Sequence, residues 1–527
     1  ASGLFLARSV KAWTCALEVV ASTESILLLP QAETVREMFP MWGYDRRENL
    51  SPDGRFFASL DGQDLAIRDV GTGDLRTLTN EQDPNIRWFH GNDIWESSDT
   101  IWNPQGTHFI ARRHDASRTP GILSLDYLEK SERVIDFRYW GRAGDPLPET
   151  TLVSVDVEKG VLTQLGAPSG TDNLLFFVEW SPDGESILAI SMSRDLSEQT
   201  IFSINAETGE ATELVSRSVE DGWVKWPGGP RTIQHVGSDQ YLLRSDESGF
   251  FNYSVLDASG ETVRVLTDRD VDVGGVIGVD EDGGWLYYLS PVNADRPYDQ
   301  IPHRISLDGG DPEQLANQTG IYSAWLSPDK AHLVWRHSDV DRASQTELAT
   351  ASGELIGVLE QVETPDNILG APLPEMTVFE SFDGTLVHAQ ILKPTGFDPD
   401  ASYPVIHRVY GAMQSKVTRT GFWPETVGWP GSEYNSMLNY FAQQGFVVVL
   451  MDPPGSPGRG RDYNLAYWGE WPGDTAEHYE AGLKALAAER PWMDLSRVGV
   501  EGNSWGGYVS LFTALEKPEI YKASSVS

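Results

Sequence analysis

Arg497-Val498-Gly499-Val500-Glu501-Gly502-Asn503-Ser504-Trp505-Gly506-Gly507 is an apolar strand over 497–501 that runs straight into a Gly-x-Ser-x-Gly turn. Phe512 and Leu515 then mark a helix. The pentapeptide alone carries little weight in a chain with 50 glycines. Its context carries more, because a strand before and a helix after are what the pattern requires. The turn is so sharp that side chains at Gly502 and Gly506 would meet the flanking strand and helix. It lifts the Ser504 hydroxyl to the open end of a sheet, which makes Ser504 a candidate catalytic nucleophile.

Upstream, strands alternate with helices. A strand is expected over 405–410 and a helix over 433–444, stopped by Gly445. The apolar run 446–451 reads as a strand buried on both faces. A second helix over 474–489 puts Tyr479, Leu483 and Leu486 on one face. Such alternation specifies a doubly wound α/β domain. A Pro-rich stretch over 364–374 separates it from what precedes.

Before that linker the grammar differs. Ser51-Pro52-Asp53-Gly54 recurs as Ser181-Pro182-Asp183-Gly184, with weaker copies at Asn103-Pro104-Gln105-Gly106 and Ser327-Pro328-Asp329. Each reads as a tight turn feeding a strand. A second phrase, two strands about a polar turn, places turn glycines at 73, 160, 209, 260, 310 and 353. The period of about 45–50 residues is that of a four-stranded propeller blade. The long first gap fits two units with one turn missed over 124–133. Seven blades are counted, and an eighth would draw on residues 1–45. The expected organisation is an unassigned segment 1–45, a β-propeller of seven or eight blades over 46–366, and an α/β-hydrolase domain over 367–527. That domain reads as incomplete, broken off after the turn at Ser504.

Composition excludes several functions. The net charge is −38, and phosphate backbones require a basic footprint, so no nucleic acid is expected as a partner. No stretch is long and apolar enough for a membrane span. Cys15 is the one cysteine, so no intrachain disulfide is possible. No metal site and no cofactor are expected. The few lysines and many acids suit a periplasmic or extracellular setting over a cytoplasmic one.

A serine hydroxyl needs a histidine base, and the base needs a carboxylate. In this fold both follow the serine. The residues after Ser504 hold no Asp and no His, only Glu516 and Glu519 as acids. His388, His407 and His478 read as solvated or locally bonded.

These features together resemble the prolyl oligopeptidase family of serine peptidases, most closely its dipeptidyl peptidase IV-like branch. The likeness is carried by the Ser-Pro-Asp-Gly turns, by Tyr139-Trp140-Gly141-Arg142-Ala143-Gly144-Asp145-Pro146-Leu147-Pro148, and by Leu242-Leu243-Arg244-Ser245-Asp246 with Gly249-Phe250. Asp383-Gly384, Lys393-Pro394, Tyr403-Pro404-Val405 and Val409-Tyr410-Gly411 match the entry into the hydrolase domain, and the turn at 502–508 matches its serine. The resemblance implies Ser504 as nucleophile, with the Tyr410 hydroxyl and the Trp505 backbone N–H as oxyanion donors. It implies Glu96 as a residue gripping the substrate's free amine. The branch's paired glutamates are not both kept, since the stretch reads Asp93-Ile94-Trp95-Glu96-Ser97. Gly411-Ala412-Met413 stands where Gly-Gly-Pro is usual, and Pro454-Gly455 where Arg-Gly is.

The implied activity is hydrolysis of short peptides, dipeptide release included, by a homodimer in the full-length form. A propeller would restrict entry to short or unfolded chains. An acyl-peptide or ester hydrolase of the same fold stays open, as does a propeller-based interaction protein with an inactive hydrolase domain.

Overall fold

The structure, a computed structural model, describes residues 50–90, 101–126, 133–137, 142–224, 231–237, 239–364, 371–410, 418 and 432–527. The chain divides into two compact units. One comprises Ala1–Arg244 with Ser254–Val265, the other Ser245–Tyr253 with Leu266–Ser527.

In the first unit the strands form antiparallel meanders. Asn173–Trp180, Ser186–Ser193, Glu198–Asn205 and Ala211–Ser218 pair in sequence order as one four-stranded sheet. Phe56–Asp61, Asp64–Asp69 and Leu75–Thr77 make a three-stranded version. The repeated Ser-Pro-Asp-Gly turns are built alike. Ser51 Oγ donates to Asp53 Oδ1 at 2.6 Å while the Phe56 N–H donates to Ser51 Oγ at 2.9 Å. Ser181 and Asp183 repeat this at 2.6 Å, with the Ser186 N–H at 3.0 Å. In the weaker copy the Asn103 amide oxygen accepts directly from the N–H groups of Thr107 and His108 at 2.9 and 3.0 Å. These side chains satisfy main-chain donors that the turn would leave unpaired.

The turn glycines recur for a steric reason. Gly209 has φ 76° and Gly260 φ 87°. A Cβ there would run into the main-chain carbonyls of Gln164 and Leu214 in the preceding sheet. At these two turns, and at Gly353 against the Leu315 carbonyl, the hairpin butts against the preceding sheet and only glycine fits.

One expected unit is different. The turn anticipated over 124–133 belongs to a hairpin, Ile122–Asp126 with Arg133–Phe137. That hairpin is not a blade of its own. It is inserted between His108–Asp115 and Glu149–Asp156, which pair residue for residue as the middle strands of one sheet. The long gap between turn glycines is thus one blade carrying an insertion. Among the described residues six sheets of three or four strands follow the blade pattern; residues 1–45, proposed for an eighth blade, lie outside them.

The second unit holds two further blade-like sheets, Val276–Asp280 to Glu313–Gln314 and Ile321–Leu326 to Leu355–Gln361. In the last of these Lys330 takes the glycine place of the Ser-Pro-Asp turn at φ 60°, a conformation that costs a non-glycine residue about 1 kcal/mol or more.

The unit continues into a six-stranded sheet. Its strands are β1 (Glu375–Glu380), β2 (Leu386–Leu392), β3 (Tyr403–Arg408), β4 (Val447–Asp452), β5 (Met493–Gly502) and β6 (Tyr521–Val526), in the order β1-β2-β4-β3-β5-β6. β3 is parallel to both β4 and β5, and β5 to β6, whereas β2 runs antiparallel to β4. Every residue of β4 is buried, as its continuous apolar run requires. The longer helices are α1 (Ser432–Gln443), α2 (Thr475–Glu489) and α3 (Trp505–Glu516), with a short helix over Arg461–Leu465 between the first two. Tyr479, Leu483 and Leu486 of α2 pack on Val405, Val449 and Val500 of the sheet. The crossovers thus bury the sheet's central strands and leave their C-terminal ends free to carry a site.

Candidate active site

β5 ends at Gly502 and α3 begins at Trp505, so two residues make the whole connection. Ser504 bears the strain of that turn, with φ 57° and ψ −120°. Among the described residues only Leu196 and Lys330 share a positive φ without being glycine. Ser504 is exposed, while Gly502, Gly506 and Gly507 are buried. Strain at an exposed polar residue is what functional turns retain.

The glycines are required by close approach. A Cβ on Gly502 would collide with the Gly506 carbonyl oxygen. One on Gly506 would lie 2.5 Å from the Val409 carbonyl oxygen and 3.1 Å from Tyr410 Cα. One on Gly507 would lie 2.5 Å from the Ser527 carbonyl oxygen. The turn is fixed by main-chain bonds as well. The Ser504 N–H donates to Ser527 O at 2.7 Å, and Gly507 N–H donates back to Ser504 O at 3.0 Å.

Gly506 brings the expected residues together. Tyr410 follows β3, and its backbone sits directly over Gly506 in the first turn of α3. Its ring packs beside Leu392, Leu438, Val448 and Leu450. Trp505 is the first residue of α3, and N–H groups of a helix's first turn have no acceptor within the helix. Its indole meets Trp471 edge-to-face at 5.7 Å and Tyr508 at 5.2 Å. Ser504, Trp505, Gly502, Gly506 and Tyr410 therefore form one neighbourhood. Glu96 lies outside the described residues.

The three upstream histidines are buried, not solvated. His407 Nδ1 pairs with the Tyr521 hydroxyl at 2.8 Å, and its ring stands edge-on to Tyr479. His478 Nδ1 pairs with Ser381 Oγ at 2.7 Å. His388 lies edge-on to Tyr298 at 5.3 Å. Burial pushes His407 down to about 3 and lowers His478 as well, the latter against the nearby Asp383 carboxylate.

His407 has a consequence for acid stability. Its folded pKa lies below the ordinary value of 6.5, so the unfolded chain takes up the proton first as pH falls. The stability is fully present above pH 6.5 and is lost toward pH 3, at up to about 1.4 kcal/mol per pH unit. The unfolding midpoint should therefore fall more steeply between pH 6.5 and 4.5 in the parent than in His407→Asn. Equal slopes in the two proteins would show that His407 does not resist protonation.

Sequence reasoning missed Arg408 and Glu501. Arg408 ends β3, Glu501 precedes Gly502 on β5, and the two are register partners that form a buried ion pair. The signal was present, since Arg408 and Glu501 each follow the apolar core residues of their strands, Val405-Ile406 and Val498-Gly499-Val500.

Known proteins share the fold that carries this site. Residues 29–344 match the family described as the dipeptidyl peptidase IV N-terminal region, and residues 432–526 match the prolyl oligopeptidase family. An Aspergillus flavus protein named "Probable dipeptidyl peptidase 4" is 22% identical over 93% of this chain and 64% of its own length. Human dipeptidyl peptidase 8 is 31% identical over 29% of this chain and 16% of its own length. The crystal structure of Porphyromonas gingivalis dipeptidyl peptidase 4 superposes with a TM-score of 0.74 at 18% identity, covering 90% of this chain and 66% of that one. The fold is accordingly a β-propeller followed by part of an α/β-hydrolase domain, and the chain spans just under two thirds of the relative matched over most of its length.

Proposed function

The chain belongs to the dipeptidyl peptidase IV-like branch of the prolyl oligopeptidase family, and from that membership we propose that the full-length protein is a serine peptidase that releases dipeptides from short peptides. The observation that carries this is Ser504, exposed and strained at a two-residue strand-to-helix turn. In this reading Ser504 Oγ attacks the scissile carbonyl carbon while its proton passes to a histidine base. The carbonyl oxygen becomes an oxyanion, held by the Tyr410 hydroxyl and the Trp505 N–H. Collapse of that intermediate expels the amine, which takes the proton, and water later releases the acyl group.

In this reading the base is none of His388, His407 and His478. His407 and His478 are committed to Tyr521 and Ser381, and residues 505–527 contain no His and no Asp. The proposal therefore assigns the base and its carboxylate to the longer polypeptide and leaves this chain by itself inactive. The domain limits 46–366 and 367–527 belong to the same reading, as does Glu96 as the amine ligand.

A test sets a free-amine Xaa-Pro substrate beside its N-acetylated form and a simple ester, using the full-length protein. Dipeptide release calls for rapid cleavage of the free amine and slow cleavage of the acetylated peptide. The reverse order would replace this reading with acyl-peptide hydrolysis, toward which the incomplete glutamate pair around Glu96 points.

A further inference from the structure

The Arg408–Glu501 pair lies where the two proposed oxyanion donors diverge. Arg408 is followed by Val409 and Tyr410; Glu501 is followed by Gly502, Asn503, Ser504 and Trp505. Their side chains form an ion pair, Arg408 Nη1 donating to Glu501 Oε2. Both residues are buried. A main-chain bond from the Val409 N–H to Glu501 O at 2.9 Å ties the same two strand ends. On its other edge Arg408 is in register with Leu450 of β4, and Glu501 with Ser525 of β6.

Stability alone accounts poorly for such a pair. Removing two charges from water costs several kcal/mol per ion, and apolar residues of similar size are often as stable or more so. A buried pair does fix geometry, because a planar guanidinium meets a carboxylate in few orientations. Here the geometry it fixes is the separation between the strand that delivers Tyr410 and the strand that delivers Trp505. The glycine contact at Gly506 limits how closely these can approach. Nothing in that contact prevents them from spreading.

We infer that Arg408 and Glu501 are positioning residues that hold the Tyr410 hydroxyl and the Trp505 N–H at the spacing an oxyanion requires. The inference rests on the peptidase reading of Ser504. Neither side chain touches substrate. The pair acts through the two backbones it joins, and its loss is felt in the chemical step.

The test uses the full-length protein and compares Arg408→Lys with the apolar double variant Arg408→Met/Glu501→Leu. The double variant should keep the parent's melting temperature, since packing replaces the charges. Its kcat should nevertheless fall about 10-fold or more, as small misplacements of catalytic donors do, with KM within about threefold. Arg408→Lys keeps the charge but loses the planar fork, and the same split in kcat is expected. Parent-like kcat in either folded variant overturns the inference, because a merely structural pair is fully replaced by apolar packing. Fluorophosphonate labelling of the parent separates the two levels. A parent that does not label at Ser504 removes the peptidase reading, whereas a labelled parent with fully active variants removes only the positioning role.

Discussion

Replacing Ser504 with alanine in the full-length protein is expected to lower kcat by about 10⁶-fold, the loss seen when a comparable triad loses its serine. Covalent labelling by a fluorophosphonate should vanish with it. The argument is local. Ser504 is exposed, and the bonds that fix the turn use its backbone, to Ser527 and from Gly507. Removal of one oxygen leaves them intact, so the variant should melt within about 0.5 kcal/mol of the parent. Residual peptide hydrolysis at parent levels, or labelling at another residue, would take the nucleophile's role from Ser504.

Tyr410→Phe should be the next largest effect. Loss of one oxyanion donor costs about 10²–10³ in kcat, or roughly 3–4 kcal/mol. The ring would keep its place beside Leu392, Leu438, Val448 and Leu450, so stability should hold. Because the hydroxyl acts on charge that develops only in the transition state, kcat and kcat/KM should fall together while KM stays put. Steady-state kinetics on one chromogenic peptide decides the matter. An unchanged kcat would leave the oxyanion to backbone donors alone.

The parts legible from sequence were those where local chemistry dictates local structure. Gly502 and Gly506 stand where a Cβ would strike backbone, and β4 is apolar from Val447 to Met451 because both its faces are covered. The helix expected over 433–444 forms as Ser432–Gln443, with Gly445 at φ 89° just beyond its end. The hidden parts depend on which distant residues become neighbours. Arg408 and Glu501 are 93 residues apart, and only the β3–β5 register joins them. His407 reads as solvated or locally bonded, and its burial comes from β3 lying between two parallel neighbours with both faces covered. The turn near 124–133 was visible, yet no local signal tells a hairpin that starts a new sheet from one inserted within a sheet.

That insertion marks where this architecture accepts additional chain. His108–Asp115 and Glu149–Asp156 stay paired over eight residues, although a hairpin departs between them. Closing a longer loop costs little, about 0.6 kcal/mol for each doubling of its length. The turns at Gly209 and Gly260 have no such latitude, because they are wedged against carbonyls of the neighbouring sheet. A tag, epitope or whole small domain grafted into the chain between Asp115 and Glu149 would leave the register undisturbed, while one added residue at either glycine would push two sheets apart.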